Sequence, residues 1–421
     1  MTVSQTQLPS GVRIGTESID SVRSAAVGMW IGVGSRDEAA HQAGCSHFLE
    51  HLLFKGTAAR SALEIAYSLD EVGGELNAFT SKEVTCFYAR VIDKDLRLAT
   101  DVLGDMLVSA SNTPEDFASE REVVLEEINI HLDTPDDLVH SDLSELILGE
   151  HPLALETLGS QESIRGMARD TVHEYYLEKY RPENLVVAVA GNVDHDEVVA
   201  LVDEFIGDLG RPGGEAPKRS APPIEDLGSV RVRHRPTEQV HIALGGIGMA
   251  MDDERRYAMR VLQTLLGGGM SSRLFQEIRE IRGLAYTTYS YASMHTDVGQ
   301  WGAYAGTTPS KLDQLLDVMI EQIDKLADSI TVDEVRRAQG QLKGGTVLGL
   351  EDSGSRMNRI GKLITLGLPI ISVDEILRRV DAVDLDDVRQ VARDVLCAPR
   401  SLAVVGPFDE SDTARFAARV S

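Results

Sequence analysis

Strand-like and amphipathic helical stretches follow one another along this chain, and they come in the same order in both halves. The first half opens with the mostly apolar run Ser24–Val33 and the second with Gln239–Ile247, each long enough for one buried strand. A helix pattern follows each run, around His47 in the first half and over Tyr257–Leu266 in the second. Next come β-rich stretches, 75–91 and 285–306, and then amphipathic helices predicted over 95–109 and 311–326. Thr113-Pro114-Glu115-Asp116 and Thr331-Val332-Asp333-Glu334 have the chemistry of helix N-caps. Each half closes on a helix and an apolar strand, Leu185–Ala190 and Ser401–Val405.

A Pro-, Gly- and charge-rich stretch, Gly210 to Gly228, breaks both kinds of pattern and reads as a linker. The expected organisation is therefore a duplication: a domain over 1–209, a linker over 210–228 and a second domain over 229–421. Strands that precede helices in pairs, rather than alternating with them singly, predict an α+β fold. Each domain would hold a mixed or antiparallel sheet packed with helices.

Composition narrows the partners. At 421 residues the chain exceeds one ordinary core, and 43% hydrophobic content is that of a globular protein. A net charge of −26 argues against a nucleic-acid partner, which requires a basic surface. No apolar run reaches membrane-spanning length. Met1 to Asp20 shows neither a secretory h-region nor an arginine-rich presequence, so the cytoplasm is the expected location. Cys45, Cys86 and Cys397 are too few and too scattered for a disulfide framework or a cysteine zinc knuckle, and Cys45 reads as core.

The chemistry concentrates in His47-Phe48-Leu49-Glu50-His51. On a helix the two imidazoles stand one turn apart on one face, and Glu50 shares it. Leu49, Leu52 and Leu53 make the opposite, apolar face. Two neutral imidazoles so spaced can grip one Zn²⁺ while a neighbouring carboxylate takes a proton from bound water, the logic of the H-x-x-E-H order. The second copy has no histidine pair on its matching helix, which favours catalysis over a fold-stabilising metal. A catalytic zinc takes three protein ligands. The helix after Thr113 offers Glu120, Glu122, Glu126, Glu127 and His131, with Val123, Val124 and Ile128 as its packing stripe. Glu120 and Glu127 are one heptad apart and nearly on one face. The offset from Thr113 to Thr331 sets Ala338 and Gly345 against them, so both carboxylates vanish together with the histidine pair. That points to Glu120 or Glu127 without choosing between them. His140 and His151 read as loop or cap histidines.

The run Gly44–Thr57 (GCSHFLEHLLFKGT) resembles the signature of the inverzincin zinc peptidases: insulinase, pitrilysin and mitochondrial processing peptidase. The likeness continues through Gly73–Thr80, Glu120–Glu127 and His151-Pro152-Leu153, and the length suits short bacterial members similar to the processing-peptidase β subunit. The resemblance implies one Zn²⁺ per chain on His47, His51 and Glu127, with Glu50 as general base and Glu120 supporting the site. It implies that Asn77, Ala78, Phe79 and Thr80 form an edge strand to which a peptide adds. It also implies that Arg279 and Tyr286, in an Arg-(six residues)-Tyr pattern, bind substrate carbonyls or the oxyanion. Short members close a chamber from two chains, so a homodimer is expected, with Arg279 and Tyr286 serving the other chain's zinc. Gly267-Gly268-Gly269 reads either as a substrate-contacting loop or as a helix C-cap.

The expected activity is that of a zinc-dependent endopeptidase acting on peptides or presequence-like unfolded segments inside a closed chamber. The alternative is a catalytically inactive scaffold of the same fold, as in core subunits of respiratory complexes, whose His/Glu set is incomplete where this one is whole. A structural-zinc module would not be one-sided.

Overall fold

The computed structural model describes residues 3–207, 209, 219, 221–224 and 228–420, so most of the expected 210–228 linker lies outside the described residues. Two mixed sheets carry the fold. In the first, β1 (Val3–Gln7), β2 (Arg13–Ser18), β3 (Ser24–Ile31), β4 (Glu75–Thr80), β5 (Thr85–Ile92) and β6 (Leu185–Gly191) lie in the order β1-β2-β6-β3-β5-β4. In the second, β7 (Val230–His234), β8 (Val240–Gly248), β9 (Thr287–Met294), β10 (Gly299–Thr307) and β11 (Ser401–Gly406) lie in the order β7-β11-β8-β10-β9. Without β1 the two orders correspond strand for strand. In each sheet one pair is parallel, β2 with β6 and β7 with β11, and the other pairs are antiparallel. The duplication read from the order of elements is thus a duplication of topology. β1, β2 and β7 were not among the expected strands; β1 and β7 are edge strands, with little apolar run to announce them.

The central strands are apolar throughout because both of their faces are covered. All of β6 and nearly all of β3 are buried. Side chains alternate across the sheet, so Ala26 and Trp30 of β3 share a face with Cys86, Val186 and Ala188. Onto that face packs the helix Ser353–Thr365 through Met357, Ile360 and Ile364. Its approach is close: a Cβ at Gly361 would collide with the Trp30 indole, and one at Gly28 with Met357 Sδ. The indole Nε1 donates to that sulfur at 3.4 Å.

That helix comes from the C-terminal half of the chain. In reciprocal fashion Pro135–Leu148, from the N-terminal half, packs on β8 and β11 of the second sheet through Leu138, Val139, Leu143 and Ile147. The two compact units are accordingly discontinuous: Met1–Asn129, Leu155–Ser220 and Gly349–Ser372 in one; Ile130–Ala154, Ala221–Leu348 and Val373–Ser421 in the other. A single cut between 209 and 229 does not describe them, because each sheet borrows one helix across it. Both borrowed helices are pinned by part-buried ion pairs to equivalent strands. Arg356 Nη1 lies 2.7 Å from Glu17 Oε1 on β2. Asp142, almost fully buried, takes Arg233 Nε at 2.8 Å and Arg231 Nη1 at 3.0 Å from β7. The charges are reversed between the two copies. Among the described residues no helix is long and apolar enough to cross a membrane.

Candidate metal centre

The helix expected around His47 spans Cys45–Leu53 and buries Cys45, Phe48, Leu49, Leu52 and Leu53 on its apolar side. Its N-cap, Gly44, stands at φ +89° with no side chain to offer, and any Cβ there would lie 2.7 Å from Leu158 O. Glu38 supplies the missing acceptors instead. Its buried carboxylate accepts from Gly44 N at 2.8 Å and from Ser46 N at 2.7 Å. Burial, with the neighbouring Asp37 charge, pushes the Glu38 carboxyl up to about 7 against the pull of those two amides.

The second contributor is the helix Pro114–Asp133, started by Thr113, whose hydroxyl accepts from Asp116 N at 3.1 Å. Phe117, Val124, Leu125 and Ile128 form its buried face, and Phe117 stacks on Phe48 with ring centres 4.7 Å apart. Val123, expected in the packing stripe, is exposed instead, with Phe117 and Leu125 in its place. This docking turns Glu127 towards the histidines. Its Oε2 lies 3.4 Å from His47 Nε2 and 3.5 Å from His51 Nε2. Glu120, one heptad earlier and buried, accepts from His51 Nδ1 at 3.1 Å and pairs with Lys55 Nζ at 2.5 Å.

The other candidates fall away. Glu122 and Glu126 point to solvent, and Glu126 accepts from Asn129 Nδ2 at 3.4 Å. His131 meets Ser141 Oγ at 3.1 Å. His140 is on a helix rather than in a loop, and its ring lies between the hydroxyls of Tyr289 (2.8 Å) and Tyr291 (3.0 Å). His151 caps locally, its Nδ1 accepting from Leu153 N at 3.2 Å.

Three donor atoms from His47, His51 and Glu127 thus lie within 4.8 Å of one another, the one such group among the described residues. Separations of 3.4 and 3.5 Å are long for direct hydrogen bonds. They match the roughly 3.3 Å between ligands of a tetrahedral zinc with bonds of about 2.0–2.1 Å. Burial, and then the neighbouring His51, pushes His47 down to about 4, leaving a neutral imidazole with a lone pair to offer. The donor set fits Zn²⁺. Glu50, on the same helix face, is largely buried, which raises its carboxyl above the usual range. Thr80 donates to its Oε2 at 2.5 Å. Thr80 ends β4, the edge strand of the first sheet, which carries Asn77, Ala78 and Phe79 and pairs on one side with β5.

A protein of Streptomyces coelicolor named as an uncharacterized zinc protease is 49% identical over 98% of this chain and 92% of its own length. Another so named, from Bacillus subtilis, is 41% identical over 94% of this chain and 97% of that one. The family model described as Insulinase (Peptidase family M16) matches residues 13–161. The chain belongs to this family. A second family model, described as Peptidase M16 inactive domain, matches residues 166–342, a range that includes Ala338, which the Thr113-to-Thr331 offset sets against Glu120. The M16 fold is also that of a protease from Helicobacter pylori, with a TM-score of 0.90 at 22% identity, covering 96% of this chain and 99% of that one.

In that second copy Arg279 and Tyr286 form a stacked pair: the guanidinium lies 4.2 Å from the ring centre, and Nη1 donates to Tyr286 O at 3.1 Å. Tyr286 is 78% exposed, an uncommon position for a large aromatic side chain. Gly268 is the C-cap of Arg256–Gly267, at φ −83°. Sequence reading passed over Lys55 and Glu38. Lys55 follows His51 by one turn, a spacing that can be read; Glu38 reaches the helix across a loop and leaves no local signal.

Proposed function

We propose that this M16 member is a zinc-dependent endopeptidase that cleaves peptides or presequence-like unfolded segments. The observation that carries the reading is the convergence of His47, His51 and Glu127 beside Glu50, on a chain whose relatives are named zinc proteases. His47 and His51 would hold the metal through Nε2 and Glu127 through Oε2, with Glu120 fixing the His51 ring through Nδ1. Zinc held there would supply Lewis acidity, making a water easier to deprotonate and the scissile carbonyl easier to attack. Glu50 is the general base: its carboxylate takes the proton of the attacking water and passes it to the leaving amine. A peptide would add to the free edge of β4 along Asn77–Thr80 by main-chain hydrogen bonds. Arg279 and Tyr286 would bind its carbonyls from a second copy of the chain.

Zinc content and peptide cleavage are the test, compared between wild type and Glu50→Gln. The variant should keep its zinc and lose about a hundred- to ten-thousandfold in kcat. Full activity in the variant overturns the base assignment, and a wild type that binds no metal overturns the reading as a whole. An inactive scaffold would hold zinc without cleaving any member of a peptide library.

A further inference from the structure

We infer that Thr80 is the positioning residue for Glu50: through its hydroxyl, the strand that receives the peptide also orients the base. The inference rests on Glu50 acting as base and adds what holds it in place. Glu50 projects from the helix Cys45–Leu53, and its carboxylate can rotate about three side-chain bonds. Among the described residues, one side chain hydrogen-bonds to it, the Thr80 hydroxyl on Oε2 at 2.5 Å. That bond ties down one oxygen and leaves Oε1 to exchange the proton. A base that must first meet a water and then a leaving amine needs this division, since a displacement of about 1 Å at a reacting group costs on the order of a hundredfold in rate.

The strand explains why the hydroxyl comes from this position. Side chains alternate along β4, so Ala78 and Thr80 share the face turned to the metal-bearing helix, while Phe79 turns the other way. Phe79 packs at 5.5 Å from the Trp30 ring, which anchors the strand in the core of the sheet. Thr80 itself faces Thr85 at the closed end of the β4–β5 hairpin, where the register has little freedom to slip. A peptide paired to the outer edge of β4 and the oxygen that acts on it are therefore referenced to one rigid strand. Threonine also suits the position intrinsically, being β-branched in a strand.

Thr80→Val keeps the shape and the β-branching and deletes the hydroxyl; Thr80→Ser keeps the hydroxyl. Thr80→Val should lower kcat about ten- to hundredfold, with KM within about twofold of wild type and zinc content unchanged. Thr80→Ser should recover most of kcat. Crystal structures of the zinc-loaded variants should show the Glu50 carboxylate displaced or in two positions in Thr80→Val and in its original place in Thr80→Ser. A Thr80→Val enzyme with wild-type kcat and an unmoved Glu50 overturns the inference, as does a Thr80→Ser enzyme as slow as Thr80→Val. The Glu50→Gln control separates the two levels. If it stays active, the base assignment fails whatever Thr80 does. If it is inactive while Thr80→Val is normal, only the positioning role fails.

Discussion

Lys55 Nζ lies 2.5 Å from Glu120 Oε1, and the other oxygen of that carboxylate accepts from His51 Nδ1 at 3.1 Å. Lysine, glutamate and histidine thus form a chain that ends on the imidazole whose Nε2 lies 3.5 Å from Glu127 Oε2. The lysine fixes the glutamate, and the glutamate fixes both the plane of the imidazole and the nitrogen that keeps its proton.

Removing the first link should loosen the last. Lys55→Met is expected to weaken zinc binding about tenfold, and Glu120→Gln between about ten- and a hundredfold, while leaving the fold intact. Competition against a chromophoric chelator measures both constants. Lys55→Met with an unchanged constant would show that the pair is only a surface-edge ion pair.

Glu38 links stability to pH through the start of the same helix. Its folded-state value of about 7 stands above the ordinary 4.5. Between those values the folded protein holds a proton that the unfolded chain has released, so this group's contribution to stability falls as pH rises through that window. Below it the contribution is fully present, and above pH 7 about 3 kcal/mol has been lost. Glu38→Gln cannot ionise. Urea unfolding at pH 5 and pH 8 should therefore show a smaller fall in the variant than in the wild type. Parallel profiles would contradict the assignment.

Arg279 and Tyr286 offer a test of assembly. If they complete the zinc site of a second chain, Glu50→Gln and Arg279→Ala proteins, each inactive alone, restore activity when mixed and allowed to exchange. Half of the dimers would be mixed, each with one whole site, giving about a quarter of wild-type activity for a twofold-symmetric pair. No recovery, with subunit exchange verified by mass, would place the pair in the service of its own chain.

Some of this was legible before any coordinates. His47, Glu50 and His51 share a face because 3.6 residues make a turn, wherever the helix lies. Thr113 and Thr331 start helices because their hydroxyls reach amides three residues on, at 3.1 and 3.3 Å. The repeated order of elements foretold two mixed sheets related by duplication, though not β1, β2 or β7, since local patterning largely dictates which stretches become strands. The choice of Glu127 over Glu126 came from resemblance; in the structure it follows from Phe117 stacking on Phe48, which fixes the rotation of one helix against the other.

The remainder was written in no local pattern. Glu17 and Arg356 are 339 positions apart, and Thr80 and Glu50 are 30 apart on different elements. The exchange of Pro135–Leu148 and Ser353–Thr365 between sheets belongs to the same class, because an amphipathic helix shows which of its faces is buried and not which sheet receives it. Spacing within one helix is set by backbone geometry, so the histidine pair and its carboxylate can be read from the chain. Partnership between elements is set by whichever packing buries most apolar surface and pairs every buried charge, and that is decided only once the whole chain has folded.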